Sequence, residues 1–166
     1  LSRVIKKENI KCQFGISPFG VWRNIDKDPV NGSNTRAGQT NYDDLYADIL
    51  LWLKNDWIDY VAPQIYWEFE KKNAPYKTIL DWWSTHTYGK NCYIGLGIYK
   101  AGSNVYWKDV TQLPRQIEAL RNTPNIQGMI FFSSKSFDKN PNGWSDSLRL
   151  NYFAVPVKTP DILNGK

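Results

Sequence analysis

The stretch IDYVAPQIYW at residues 58–67 indicates the fold, because the character of its side chains alternates along a predicted β-strand. Successive side chains of a strand point to opposite faces, which here carry Ala62, Gln64 and Tyr66 on one side and Val61, Pro63 and Ile65 on the other. The second face is apolar, whereas the first becomes polar toward the carboxyl end. A strand of a (β/α)8 barrel has this character when its last inward side chains line a site. A strand of a doubly wound sheet is usually apolar on both faces.

The stretch YIGLGIY at residues 93–99 has the same character. Its two faces carry Gly95, Gly97 and Tyr99 on one side and Ile94, Leu96 and Ile98 on the other. The strand that contains the first stretch is predicted near residues 58–66. Two further strands are predicted near residues 13–19 and 128–133. The two stretches therefore share one pattern, in which the apolar face is available to pack against helices.

A helix is predicted after each strand. Asn41 is the predicted N-cap of the first helix, and the second helix begins at about Pro75. The third helix places Pro114 in its first turn, and a short helix follows near residues 145–153. Strands that alternate with helices predict parallel βαβ units. The sequence therefore predicts an α/β fold of four consecutive parallel βα units. Half of a (β/α)8 barrel is favoured over a small open doubly wound sheet.

Composition excludes several functional classes. The net charge is +5 without a run of basic residues, so we expect no nucleic-acid partner. No apolar stretch approaches ~18 residues, so no membrane span is predicted. With one histidine and two cysteines, the chain is expected to use neither a metal nor a cofactor, and Cys12 and Cys92 are predicted to be buried thiols.

Aromatic residues are abundant, with 8 Trp, 10 Tyr and 7 Phe. Flat rings with polar tips suit sugar binding, because a ring can pack on the apolar face of a pyranose while its polar tip forms hydrogen bonds. Trp52 and Trp83 lie at core-facing helix positions, so we expect these two to be packing residues.

Polar and aromatic side chains follow the carboxyl ends of all four predicted strands. They are Ser17, Trp22 and Arg23 after the first, Gln64, Tyr66 and Trp67 after the second, Tyr99 after the third, and Ser133 and Lys135 after the fourth. The carboxyl ends of parallel strands meet at one edge, so these residues predict a substrate-binding rim for a polyhydroxylated ligand. Five of them are expected around one pocket: Arg23, Gln64, Tyr66, Trp67 and Tyr99. The alternative is that Ser17 and Gln64 only satisfy each other.

Catalytic carboxylates are harder to assign. Glycoside hydrolysis uses two carboxyl groups, ~5–5.5 Å apart in retaining enzymes and ~6.5–9.5 Å apart in inverting ones. No predicted strand ends in an inward Asp or Glu, and Glu68 is the one candidate near a strand end. We therefore expect the principal catalytic carboxylates to lie upstream of Leu1.

Four segments resemble the bacterial glycosyl-hydrolase-like family 10, formerly a domain of unknown function. They are FGISPFGVWRN at 14–24, YDDLYADILLWLKNDWIDYVAPQIYW at 42–67, YIGLGIYKAG at 93–102 and GMIFFSSKSF at 128–137. The resemblance implies a (β/α)8 barrel in which these strands are the fifth to the eighth. It also implies a carbohydrate substrate, a pair of aspartates on a strand upstream of this chain, and export to an extracytoplasmic location. The family's motifs carry over onto Ser17, Arg23, Gln64, Tyr66 and Trp67.

Two functional hypotheses follow from these residues. The first is the C-terminal part of a glycoside hydrolase that acts on a polysaccharide or glycan and supplies binding residues of its rim. The second is a non-catalytic glycan-binding protein, and the charge leaves binding of an anionic polymer as a weaker third. The predicted half barrel spans residues 1–154, followed by a tail at 155–166. Its expected partner is the N-terminal half of the barrel, and in isolation we expect it to self-associate through its open sheet edges.

Overall fold

Four parallel strands form one sheet, in the order β1-β2-β3-β4, in the computed structural model, which describes residues 1–156. The strands are β1 (Gly15–Ile16), β2 (Tyr60–Val61), β3 (Asn91–Leu96) and β4 (Gly128–Phe131). Each strand lies beside its neighbour in the chain. A doubly wound sheet reverses its strand order at a switch point, and this sheet has no reversal. The α/β prediction is confirmed, and the topology is compatible with part of a barrel.

The strands are shorter than predicted. Pro63 has no N–H to donate, so the ladder of β2 ends at Val61 and continues only as isolated bridges from Gln64 to Phe19 and Gly95. β3 ends at Leu96 instead of residue 99. A single 3₁₀ turn, Ile98–Lys100, follows it and carries Tyr99.

The helices lie between and after the strands. They are α1 (Ser2–Glu8), α2 (Ile49–Lys54), α3 (Tyr76–Thr85), α4 (Gln112–Arg121) and α5 (Trp144–Ser147), with a π-helical turn at Leu148–Tyr152 and 3₁₀ turns at Ser134–Ser136 and Pro141–Gly143. The prediction that Asn41 is the N-cap of the helix after the first strand is wrong. Asp48 is the N-cap, and its carboxylate accepts from Leu51 N at 3.1 Å. Local hydrogen bonds compete with helix formation at the predicted start, where Thr40 N donates to the Asp44 carboxylate at 2.6 Å.

The core lies between the sheet and its helices. α3 packs against β3 and α4, and α4 packs against β4. The largest fully buried side chains of the core are those of Trp83, Trp107, Trp144 and Tyr76, whereas Trp52 is only half-buried. Trp83 is therefore the packing residue that was predicted, and Trp52 is one in part.

The two cysteines are both free, but only Cys92 is buried. The prediction for Cys12 is wrong, because this residue precedes β1 in an exposed turn closed by its own N–H to Asn9 O. In the predicted tail, Val155 and Pro156 are exposed, and residues 157–166 lie outside the described residues. Within residues 1–156, no helix combines the length and apolar character needed to cross a bilayer.

Candidate functional site

Three aromatic rings meet beyond the carboxyl ends of β2, β3 and β4. Tyr66 and Phe132 stack with ring centroids 5.9 Å apart and planes 25° apart. Tyr99 lies edge-on to both rings, also at centroid distances of 5.9 Å. Tyr99 is 52% exposed and Phe132 is 55% exposed, whereas Tyr66 is half-buried beneath them. We call these three residues the aromatic cluster.

Two glycines leave room for the side chain of Tyr66: Gly95 in β3 and Gly97 directly after it. A Cβ atom at Gly97 would lie 3.0 Å from Cβ of Tyr66, and one at Gly95 would lie 3.3 Å from its ring. The ring therefore packs on bare backbone. Burial raises the pKa of the Tyr66 hydroxyl, and the neighbouring Tyr99 raises it further. The phenol thus stays neutral and able to donate at physiological pH.

Gln64 and Ser17 form a hydrogen-bonded pair beside the aromatic cluster. The Gln64 side-chain amide donates to Ser17 O at 3.1 Å and to Ser17 Oγ at 3.3 Å. Ser17 Oγ in turn donates to Ala62 O at 2.9 Å. The contact between Gln64 and Ser17, which the alternative interpretation of these two residues predicted, is therefore present. Ser17 remains exposed and Gln64 is half-buried, so both reach the surface.

Trp67 points away from the aromatic cluster. Its ring packs edge-on against Phe19 at 5.5 Å and lines a cavity with Arg36, Asn73 and Lys71. Gln64 and Ser17 line a different cavity, and Tyr66 and Tyr99 belong to the cluster. The five residues predicted around one pocket are thus distributed over separate groups, because Tyr66 and Trp67 are consecutive and project in different directions.

Trp22 and Arg23 are held within the loop that follows β1. Trp22 is 5% exposed and stacks on Trp82 at 6.1 Å, so it belongs to the core and offers little surface to a ligand. Arg23 binds the Asp43 carboxylate through Nε at 3.0 Å and stacks on the Tyr42 ring at 4.5 Å. Its guanidinium is therefore largely occupied by the protein.

Asp28 gives this loop a testable pH dependence. Its carboxylate accepts from Asn31 N at 2.9 Å and from Val30 N at 3.1 Å, and the Arg23 guanidinium lies 3.7 Å away. The backbone bond from Asn31, the largest cause, and the smaller contributions of Val30 and Arg23 hold the pKa of Asp28 below its ordinary value. The ionised Asp28 carboxylate therefore stabilises the folded state at pH values above its ordinary pKa. This stabilisation is lost as the pH falls through the lowered pKa of the folded state.

We expect the Asp28→Asn variant, which does not titrate, to lose less stability than the wild type when the pH is taken below about 4. Urea midpoints of the two proteins at pH 7, 5 and 3 measure the difference. Identical pH dependence in the two proteins would contradict the expectation.

Ser133 and Lys135 follow β4 directly. Ser133 is half-buried and its carbonyl accepts from Ser136 N at 2.9 Å, while Lys135 is exposed. Ser133 directly follows Phe132 in the chain, and Phe132 is a residue that the predicted rim omits. The sequence signal was its alternation with Ile130 of β4, since Phe132 follows that strand by one residue and both side chains are about half exposed.

The carboxylates beyond β2 are not free. Glu68 is 6% exposed, and its Oε2 accepts from the Trp107 indole at 2.8 Å. Burial alone would raise the pKa of Glu70, but hydrogen bonds from Gln112 and Arg115 outweigh it and hold that pKa below its ordinary value. Within residues 1–156, no group of three or more His, Cys, Asp or Glu side chains is placed to hold a metal ion.

Comparison with known proteins places the chain in a family. The model of the family described as "Glycosyl hydrolase-like 10" matches residues 1–112. The chain is 42% identical over 166 residues to Glycosyl hydrolase YngK of Bacillus subtilis. The matched region covers 98% of this chain and 32% of that protein. It is 37% identical over 151 residues to Glycosyl hydrolase DigH of Escherichia coli K12, with 84% of this chain and 33% of that protein covered. The chain spans about a third of the length of the curated relatives it matches. The resemblance noted from the motifs is confirmed: the chain belongs to the Glycosyl hydrolase-like 10 family.

Proposed function

We propose that this chain is the substrate-binding C-terminal part of a glycoside hydrolase that acts on a polysaccharide or glycan. Its four strands would be the fifth to the eighth of a (β/α)8 barrel. The observation that carries the proposal is the aromatic cluster of Tyr66, Tyr99 and Phe132 at the carboxyl ends of three parallel strands. Active sites of such barrels are built at this end of the strands. The family and the names of both relatives support the reaction class.

The cluster has the chemistry that a sugar requires. The exposed rings of Tyr99 and Phe132 offer apolar faces to the C–H groups of a pyranose, and the tyrosine hydroxyls offer hydrogen bonds at their edges. Ser17, Gln64, Ser133 and Lys135 would add polar contacts beside it. Trp67, which lines a separate cavity, would contact a neighbouring unit of an extended glycan.

The catalytic acids would come from the rest of the protein, on the N-terminal half of the barrel. An extracytoplasmic location is part of the same proposal, on the basis of the resemblance alone. We also propose that the isolated chain self-associates, because β1 and β4 are edge strands of the sheet described here.

A non-catalytic glycan-binding protein is the second candidate. The specific observation in its favour is that the two carboxylates that follow β2 are engaged, Glu68 by Trp107 and Glu70 by Arg115. Turnover of a glycan by the full-length protein, compared with binding alone, separates the two candidates.

Removing a ring of the cluster tests the binding role directly. We expect Tyr99→Ala and Phe132→Ala each to weaken the affinity of the full-length protein for soluble glycan fragments by about tenfold, because each loses a stacking face. Isothermal titration calorimetry with a panel of oligosaccharides measures this affinity.

Tyr88→Ala is the matched control. Tyr88 is 47% exposed, close to the value of Tyr99, but it lies before β3, at the amino end of the sheet. Its removal is expected to leave affinity unchanged. Unaltered affinity in both cluster variants would contradict the proposed binding surface.

A further inference from the structure

Trp107 connects the segments that follow three successive strands. Its indole donates to Glu68 beyond β2, and its own carbonyl accepts from Gly102 N beyond β3, both at 2.8 Å. The same carbonyl accepts from the Asn142 amide, beyond β4, at 2.8 Å. The Trp107 ring is buried and lies edge-on to Trp144 at 6.2 Å. One side chain and its peptide thus hold three segments at the end of the sheet that carries the aromatic cluster.

The buried contact of Trp107 is with a carboxylate. Burying a carboxylate is costly unless hydrogen bonds or an opposite charge compensate for lost water. Glu68 has such a hydrogen bond, because the indole donates to Oε2, and its charge counteracts the lowering of the Lys100 pKa by burial. Lys100 belongs to the same 3₁₀ turn as Tyr99. Glu68 therefore contacts the loop after β3 through Trp107 and acts on it through Lys100.

We propose that Glu68 is a positioning residue that fixes the loop of residues 97–110, and with it Tyr99 and Lys100, at the sugar-binding surface. The inference rests on the proposed function and deepens it. It also replaces the sequence hypothesis that Glu68 is a catalytic carboxylate.

Burial argues against a direct role in proton transfer. A general acid has to come within hydrogen-bond distance of the glycosidic oxygen. Glu68 exposes 6% of its surface, and one of its two carboxylate oxygens is already bound by an indole inside the protein. An indole N–H is only a donor, so it can hold this oxygen but cannot exchange a proton with it during a reaction cycle.

The electrostatics of Lys100 agree with this role. Burial lowers the pKa of Lys100, Glu68 counteracts that effect, and Lys71 adds to it. This charge effect is secondary to the hydrogen bond from Trp107 to Glu68, which the Glu68→Gln variant can also accept.

Hydrogen–deuterium exchange in the full-length protein tests the loop itself, without any ligand. We expect Glu68→Ala to accelerate exchange of the amides of residues 98–107 by about tenfold, because the buried indole N–H of Trp107 loses its acceptor. Glu68→Gln keeps an oxygen that can accept from Trp107, so exchange should stay near that of the wild type. Glu70→Gln is the matched control, since Glu70 lies on the same segment but binds Gln112 and Arg115 of α4.

Kinetics on a glycan substrate then separate positioning from catalysis. A positioning role predicts that Glu68→Ala raises KM about tenfold while kcat changes by less than about threefold, and that Glu68→Gln restores KM. A fall in kcat of about a hundredfold or more for Glu68→Gln, with unchanged exchange, would identify a catalytic acid and overturn the inference.

Other outcomes are also decisive. Unchanged exchange at residues 98–107 in Glu68→Ala would overturn the inference, whatever the activity. If that variant does not fold, Trp107→Phe keeps an aromatic ring in the core while it removes the donor and part of the ring volume, and the same exchange pattern is expected. A wild type that neither binds nor cleaves any glycan would refute the proposed function, while the exchange experiment would still decide whether Glu68 positions the loop.

Discussion

The Trp83→Ala variant is expected to lose about 3–5 kcal/mol of its free energy of unfolding. Trp83 lies on α3 and is fully buried. Its ring packs edge-on against Trp82 at 4.9 Å, and its indole donates to Gly20 O at 2.7 Å. Truncation would leave a large cavity and an unpaired carbonyl in the core. Urea unfolding, followed by circular dichroism, measures the loss.

Trp52→Ala is the comparison for this effect. Trp52 is a helical tryptophan as well, but it is only half-buried, so we expect roughly half the loss or less. Sequence alone predicted that both tryptophans are packing residues. A Trp83→Ala midpoint equal to that of the wild type would show that the core is not organised around this ring.

The Gly20→Ala variant is expected to lose about 1–3 kcal/mol, as overpacked sites do. A Cβ atom there would lie 2.6 Å from the Gln64 carbonyl oxygen and 2.6 Å from the Trp67 ring. The backbone oxygen cannot turn aside, so the loop after β1 would have to shift. That shift would also disturb the bond from Trp83 to Gly20 O.

Gly38→Ala is the control for Gly20→Ala. It lies in the same loop, and a Cβ atom at Gly38 would meet nothing within 4 Å. We expect a change within about 0.5 kcal/mol, as at other surface positions. Equal midpoints for the two variants would show that the contact between this loop and the end of β2 is not tight. The measurement is again the urea midpoint.

The fold could be predicted from the sequence to the level of its units and their order. Strands that alternate with helices predicted four parallel strands, and all four appear in the sheet. Their lengths could not be predicted, because side-chain alternation continues past Pro63 while the hydrogen-bond ladder does not. The start of α2 was also missed, since Asn41 uses its side chain to bind the backbone of Phe19 and Val21.

The candidate site was predictable only in part. Tyr66 and Tyr99 follow from strand ends, and the structure brings them together. Trp22 was assigned to the rim because it follows a strand, but burial of a ring in a loop depends on a distant partner, here Trp82. The role of Trp107 has no local signal at all. It depends on contacts with residues 39 positions before it and 35 positions after it.

Trp107 has a consequence for how this surface can be altered. Loops at the carboxyl ends of barrel strands usually vary independently, which lets one scaffold acquire new specificities by exchange of single loops. Here the segments after β2, β3 and β4 share one anchor. Transplanting the segment after β3 from a relative would remove the anchor of the other two, and transplanting either of those would leave Trp107 without one of its partners. Redesign of specificity at this end of the sheet should therefore exchange all three segments together, with Glu68, Trp107 and Asn142 moved as a set.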